Sequence, residues 1–415
     1  MASKRSPHVV VIGAGFGGLA CVRAFRDSNV DVTLIDRHNF HTFQPLLYQV
    51  ATAGLNAADV AYPVRGILRR SQRAKFRLGM VTAVDTAANN LTLDNGAVMS
   101  WDWLVVAAGA TTNHFGVPGA AEFGLSLYTL EDATALRNHV LTRFEESASG
   151  TNDDGALTFV VVGGGATGVE IAGALAELVD KVLRKDFPDL DVFRVKIVLV
   201  EGQDRLLGPF APKLSSHAVE TLRSRGVDVR LNTPLSNVAE DHVVLGDGTT
   251  LLTRTVVWAA GVKANPLGAL LGVELGRGGR IPIRLDLRLI EHDHVLAIGD
   301  IAAIDYNGRL APQVAQVAIQ SGKHAAETIL AVEAGRPTAS FAYKDKGSMA
   351  TIGRNAAVAE FPNGLKLRGF IGWLSWLGLH ILTMLGFRNR ASVILNWAWN
   401  YVTWDRGPRL IFRKN

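Results

Sequence analysis

Apolar residues along this chain come in short β-rich runs that stop at glycines and restart as helical stretches. The run His8 to Ile12 stops at Gly13-Ala14-Gly15-Phe16-Gly17-Gly18; a helical pattern follows through Phe25, and a second run, Val32 to Ile35, closes on Asp36. Strand, glycine turn, helix, strand and acid, in that order, predict a unit shaped to hold a dinucleotide. Gly13 permits the tight turn, Gly15 lets backbone approach a pyrophosphate, and Gly18 brings helix and strand together. The helix N-terminus offers its free N–H groups to the phosphates. Asp36 follows Gly18 by 18 residues, near the spacing of about 20 at which a carboxylate meets an adenosine ribose.

The pattern recurs 150 residues later, from Thr158 to Val162, through Gly163-Gly164-Gly165-Ala166-Thr167-Gly168, a helix from Val169 to about Leu178, and Val195 to Val200 closed by Glu201. Here the acid comes 33 residues after Gly168, so the stretch around Lys181 to Val192 reads as an insertion, part helix extension and part loop. Two such units predict two dinucleotides stacked against each other. Three more apolar runs end in small residues: Trp103 to Ala110 with Ala108 and Gly109, Thr255 to Gly261 with Ala260 and Gly261, and Val295 to Asp300. A Gly-Asp pair after a strand is by itself an ordinary turn. After two nucleotide units it favours FAD, with Asp300 placed for the ribityl hydroxyls. The expected fold class is α/β, with two Rossmann-like, mostly parallel, doubly wound dinucleotide-binding domains and a C-terminal amphipathic helical segment that anchors to a membrane.

That segment begins with 19 mostly apolar residues, Gly369 to Phe387, broken by Ser375, His380 and Thr383. Its length approaches the roughly 20 residues of a spanning helix. However, small residues at Gly369, Gly372, Ser375 and Gly378 recur every third position and suggest a stripe for close packing on the protein body. A second helix, about Ala391 to Val402, carries Val393, Ile394, Trp397, Trp399 and Tyr401, and five of the eight tryptophans follow Phe370. Arg388, Arg390, Arg406, Arg409, Arg413 and Lys414 stand against one acid, Asp405. Tryptophan beside arginine predicts two helices lying in one leaflet on anionic lipid. A hydrophobic homodimer interface is the alternative.

Composition narrows the rest. A chain of 415 residues, 48% hydrophobic and 20% charged, supplies two or three folded domains. The net charge of +5 comes with no nucleic-acid motif. Before the first strand, Lys4 and Arg5 precede no apolar h-region, so a secretory signal is not expected. Cys21, the single cysteine, is expected to be buried in a helix; no disulfide or CxxC pair can form within one chain. His38, His41, His292 and His294 lack a third convergent ligand, so no metal site is expected and they read as surface or loop residues.

The two glycine motifs with Ala297-Ile298-Gly299-Asp300 resemble the two-dinucleotide flavoprotein superfamily. Within it, Phe43-Gln44-Pro45-Leu46-Leu47-Tyr48 and Ala315-Gln316-Val317-Ala318-Ile319-Gln320 are similar to the flavin-side loop and the quinone-site signature of bacterial type II NADH dehydrogenases, the non-pumping NADH:quinone oxidoreductases. The resemblance implies FAD contacts at Gly13, Gly15, Phe16, Gly17, Gly18, Asp36, Ala51, Thr52, Ala108, Gly109, Asp300, Val317 and Ala318. It implies NADH contacts at Gly163, Gly165, Ala166, Thr167, Gly168, Glu170, Glu201, Ala260 and Gly261. Asp36 departs from the superfamily's commoner glutamate. Glu170 is implied near nicotinamide and flavin, for positioning or proton relay; as an acid near a helix N-terminus it reads equally as a dipole partner. Gln316 and Gln320, four apart on one helix face, are implied to hold the quinone, with Pro312 in that helix's first turn.

The expected domains are 1–118 with 288–345 for FAD, 119–287 for NADH, and 346–415 at the membrane. The expected activity is hydride transfer from NADH to FAD and two-electron reduction of a membrane quinone without proton pumping, by a peripheral protein on the cytoplasmic face of the inner membrane. A soluble reductase of an electron-carrier protein and a redox-sensing flavoprotein are the alternatives. Disulfide reductases and sulfide:quinone oxidoreductases, which use cysteine pairs, are excluded.

Overall fold

The computed structural model describes residues 5–150, 154–191 and 194–412, so Lys4, Val192, Arg413 and Lys414 lie outside the described residues. The chain forms two compact units: residues up to His41 with Tyr62–Thr111 and Val262–Asp345, and Thr42–Ala61 with Thr112–Gly261 and everything from Lys346. The crossovers therefore fall at 111–112 and 261–262, not at the expected 118–119 and 287–288. The flavin-side loop and the C-terminal segment cluster with the unit that carries the second glycine motif.

The first unit is built on a parallel sheet in the order Val295–Ala297, Trp103–Val106, His8–Ile12, Asp31–Asp36, Ala74–Leu78. Val9, Val10, Leu104 and Val105 are fully buried, as expected of parallel strands covered on both faces, which read as continuous apolar runs. Helices Phe16–Ala24 and Ala315–Glu333 pack against each other. The unit also carries a three-stranded antiparallel meander, Val81–Asp85, Asn90–Leu93 and Val98–Ser100.

The second unit repeats this plan. Its parallel sheet runs Gly124–Ser126, Thr255–Trp258, Thr158–Val162, Lys196–Val200, Val227–Arg230, and its meander is Leu235–Val238, His242–Leu245, Thr250–Leu252. The repeat thus reaches well beyond the glycine turns: meander and alanine-rich strand end recur in the same order, with Gly109 and Gly261 152 residues apart.

This unit also carries an antiparallel sheet, Ser348–Gly353, Ala356–Glu360 and Lys366–Arg368, then helices Gly369–Thr383 and Phe387–Thr403. No helix among the described residues is long and apolar enough to cross a membrane. The expected small-residue stripe narrows to Gly372, where a Cβ would lie 2.7 Å from the Ala357 carbonyl oxygen, whereas Gly369 and Gly378 face open space and the Ser375 hydroxyl bonds Ile371 of its own helix. The reason is geometric: at about 3.6 residues per turn, positions three apart rotate steadily around the helix and cannot hold one face.

The last helix is inverted relative to a globular surface helix. Beside the buried Val393 its inward face is largely polar: the Asn389 amide donates to the carbonyls of Ala58, Asp59 and Ala61, Ser392 and Asn396 donate to the buried Asp59 carboxylate, and Asn400 donates to Gly54. Its outward face is apolar, with Phe387, Leu395, Trp399 and Val402 between 60% and 86% exposed. Ile371, Leu374 and Leu382 of the preceding helix are exposed too.

Candidate active site

In the first unit, the turn after His8–Ile12 is shaped for a bound pyrophosphate. Gly13 has φ +107°, and a Cβ there would meet the Ala107 carbonyl; only glycine fits. Gly15 has open space where its side chain would be, and a Cβ at Gly18 would collide with Gly13. Asp36 accepts the Ala14 N–H at 2.6 Å and the His38 N–H at 2.7 Å, which fixes its carboxylate beside the turn. Ala318 closes the far side, within 3.2 Å of a Cβ at Gly17 and 3.1 Å of one at Gly299, and Val317 is buried beside it. Ala108 and Gly109 follow the strand that supplies Ala107.

Three buried side-chain atoms among the described residues of this unit close no hydrogen bond: Trp101 Nε1, and near the glycine turn Asp300 Oδ1 and His41 Nε2. Burial pushes the Asp300 carboxyl up to about 6, with Arg280 pulling the other way. Unsatisfied buried polar atoms are costly and usually mark a missing partner. Hydroxyl and ring groups of a flavin dinucleotide supply such partners, so the residues present fit FAD. His41 is not the surface residue expected from sequence. It is buried, its Nδ1 donates to the Ala14 carbonyl at 2.9 Å, and Phe16 meets its ring edge-on at 4.9 Å.

The second unit repeats the arrangement with the same bonds. Gly163 has φ +106°, Gly165, Ala166 and Thr167 are exposed, and a Cβ at Gly168 would collide with Gly163. Glu201 accepts the Gly164 N–H at 2.5 Å and the Gln203 N–H at 2.8 Å, as Asp36 does in the first turn. The acid lies 37 residues from its turn partner here and 22 there, yet the contact is the same. The extra residues leave the turn untouched because they extend the helix Ala166–Leu178 through a π turn, Val179–Leu183, and a short helix, Arg184–Asp186. Ala260 approaches Gly163 closely.

Glu170 lies on that same helix, its carboxylate accepting the Thr351 N–H at 3.4 Å. Part of its surface stays open, but the surrounding protein is dense enough that burial pushes the carboxyl up to about 8, against the opposing pull of Thr351 and the Trp376 indole. Trp376 is 1% exposed, and its Nε1 closes no hydrogen bond.

Near it, helices and hairpin converge on buried charge. Glu177 pairs with Arg225 and Arg406 and accepts the Arg354 N–H. Arg406 also donates to the Thr52 carbonyl at 2.9 Å and the Ala174 carbonyl at 3.5 Å. Ala51 and Thr52 are buried, and the Thr52 hydroxyl is committed to the Tyr48 carbonyl. In the first unit, Gln320 gives both ends of its amide to the Lys344 backbone, at 2.9 and 3.0 Å, while Gln316 is half-buried on the same helix. Pro312 lies outside that helix, which starts at Ala315.

The family model described as pyridine nucleotide-disulphide oxidoreductase matches residues 7–322, and that of the NDH2 C-terminal domain matches 346–403. The type II NADH:quinone oxidoreductase Ndh of Mycobacterium tuberculosis is 37% identical over 98% of this chain and 90% of its own length. This chain belongs to the type II NADH:quinone oxidoreductase family. Another relative, NdhA of the same organism, is 37% identical over 97% of this chain and 89% of its own length. The structure of NDH2 from Plasmodium falciparum in complex with NADH shares the fold, with a TM-score of 0.90 over 99% of this chain and 100% of that one at 19% identity.

Within this family the disulphide in the broader name does not apply to this member. Its single thiol, Cys21, is buried and pushed up to about 12, so thiolate chemistry is out of reach near neutral pH. Among the described residues no group of side chains is arranged to hold a metal ion. The glycine turns carried a sequence signal. The Asp59 and Glu177 clusters carried none, because they are completed from far along the chain, by Ser392, 333 residues from Asp59, and by Arg406, 229 residues from Glu177.

Proposed function

We infer that the chain is an FAD-dependent NADH:quinone oxidoreductase. The observation that carries this is the duplicated turn in which an acid grips the second-residue N–H, found in a member of this family. FAD, when bound, accepts a hydride from NADH and passes two electrons to the quinone. The first unit's turn, Asp36 and Asp300 hold the flavin nucleotide. The second unit's turn and Glu201 hold NADH, and the Glu201 carboxylate repels a 2′-phosphate. Glu170, protonated at neutral pH, holds a proton for the acceptor. Gln316 and Gln320 are quinone-side amides, Gln320 becoming available when its bonds to Lys344 open.

The inverted last helix supports a membrane-surface reading. A polar face satisfied inward and an apolar face turned outward cost free energy in water and fit the interface of a lipid leaflet. A peripheral protein on the cytoplasmic face, taking its quinone from that leaflet, follows. The same face would serve a homodimer. The deciding experiment is spectroscopic: purified protein should show a flavin absorbance that NADH bleaches within the mixing time and a short-chain quinone restores. A colourless protein that cannot be reconstituted with flavin would end this reading.

A further inference from the structure

Ala14, the second residue of the first glycine turn, is gripped at both of its backbone polar groups. Its N–H goes to Asp36, and its carbonyl accepts the Nδ1–H of His41 at 2.9 Å. The second unit grips Gly164, the equivalent residue, in the same two places: its N–H goes to Glu201, and its carbonyl accepts a backbone N–H, that of Leu207, at 2.7 Å. His41 comes five residues after its acid and Leu207 six after its own, so the two donors are counterparts. Holding the turn's carbonyl therefore needs no histidine, because a backbone amide does the same task. What His41 adds is its second ring nitrogen.

A carbonyl oxygen can only accept, so the bond to Ala14 fixes the ring proton on Nδ1. Burial pulls the imidazole below its ordinary value, opposed by the Ala14 carbonyl and Asp36 and helped by Arg23. A neutral ring protonated at Nδ1 carries a bare lone pair on Nε2, which is then an acceptor. His41 is 3% exposed, and its Nε2 closes no hydrogen bond. A buried acceptor without a donor is a cost unless a ligand supplies one. The ring lies beside Ala14 and Phe16, the second and fourth residues of the turn, where a dinucleotide places its pyrophosphate and sugars. Pyrophosphate oxygens only accept and would repel this lone pair, whereas sugar hydroxyls donate.

We propose that His41 is a flavin-binding residue whose Nε2 accepts a hydrogen bond from a sugar hydroxyl of FAD, while its Nδ1–H clamps the glycine turn. The proposal rests on the FAD reading of the first unit and adds to it a contact that the glycine fingerprint does not contain.

The test follows the release of FAD from the purified flavoprotein on serial dilution, read by the fluorescence of the freed flavin. In His41→Asn the amide nitrogen takes about the place of Nδ1, so the clamp on Ala14 is kept and only the Nε2 acceptor is lost. The apparent Kd for FAD should rise about three- to tenfold, the loss of one neutral hydrogen bond. His41→Gln, whose amide reaches about as far as Nε2, should recover part of that loss. If the histidine were a clamp alone, His41→Asn would retain FAD as the unaltered protein does, and that result would overturn the assignment. Nitrogen NMR of the unaltered flavoprotein with labelled histidines supplies a measurement that needs no variant: it should find the His41 proton on Nδ1 and a bare Nε2, and a proton on Nε2 would overturn the assignment as well. Either of those failures leaves FAD binding standing, whereas protein that neither carries nor takes up flavin would overturn the FAD reading and this contact with it.

Discussion

Replacing Glu170 by glutamine should make the protein more stable, by an amount that vanishes in acid and grows as pH rises. Its carboxyl is raised from 4.5 to about 8 in the fold, so the folded state binds that proton more tightly than the unfolded chain does. Below pH 4.5 the group is protonated in both states and carries no charge penalty. The penalty grows as pH rises through the interval and is complete above about 8. At 1.36 kcal/mol per unit the ceiling is about 5 kcal/mol. The carboxyl is partly open to solvent, which brings the expected value to about 1–3 kcal/mol. Thermal unfolding of the flavin-loaded protein and of Glu170→Gln, measured from pH 5 to pH 9, reads this directly. The two curves should nearly coincide in acid and separate by several degrees in base, at roughly 2–4 °C per kcal/mol for units of this size. An offset that does not change with pH would refute the reasoning, because it would place the acid's ionisation outside this window.

Glu201→Gln removes the charge proposed to face the adenosine ribose, and the ratio of kcat/KM for NADPH to that for NADH should rise at least about tenfold, worth 1.4 kcal/mol; steady-state kinetics with both donors checks it. Arg406→Met strips Glu177 of one of its two guanidinium partners and leaves the Thr52 and Ala174 carbonyls without this donor. Because Arg225 still pairs with Glu177, the cost should be about 2–3 kcal/mol, less than for a fully uncompensated buried charge, and urea unfolding should show it. Leu395→Asp with Val402→Asp alters only exposed positions, so flotation with anionic vesicles should be lost while the unfolding midpoint is kept; retained flotation would move the membrane contact elsewhere.

Both nucleotide turns were legible because their chemistry is local. Gly18 is constrained by the backbone of Gly13, five residues before it, and Gly13 by its own positive φ, and the acid's task can be read once the second strand is recognised. The long gap to Glu201 read as part helix extension and part loop, and the helix Ala166–Leu178 does continue through Val179–Leu183 and Arg184–Asp186. The domain boundaries were less legible, since nothing local says that Thr42–Ala61 packs with the chain after Lys346 rather than with its own neighbours. His41 was read as surface because a lone histidine beside polar residues carries no sign that its Nδ1 will reach the Ala14 carbonyl. The last helix deceived in a different way. Its asparagines, Asn389, Asn396 and Asn400, look like a solvated face until their partners in residues 54–61 are known.

The helix Ala166–Leu178 explains why this tail is more than an anchor. Its N-terminal turn carries Gly168, the last glycine of the second turn, Glu170 follows half a turn on, and Ala174 and Glu177 continue along the face that meets the tail, receiving Arg406. Gly173 of the same helix lies so close to the Ile352 carbonyl that no side chain would fit. Glycine costs about 1 kcal/mol in a helix interior, so its use here reflects how tightly hairpin and helix are joined. Removing the chain after Arg368 would therefore take away the Trp376 ring beside Glu170 and one of the two counter-charges of Glu177 together. Loss of the tail should lower the proton affinity of Glu170, because readmitted water restores the solvation that burial denies it. A truncation ending at Arg368 that still shows the alkaline destabilisation traced to Glu170 would break this connection.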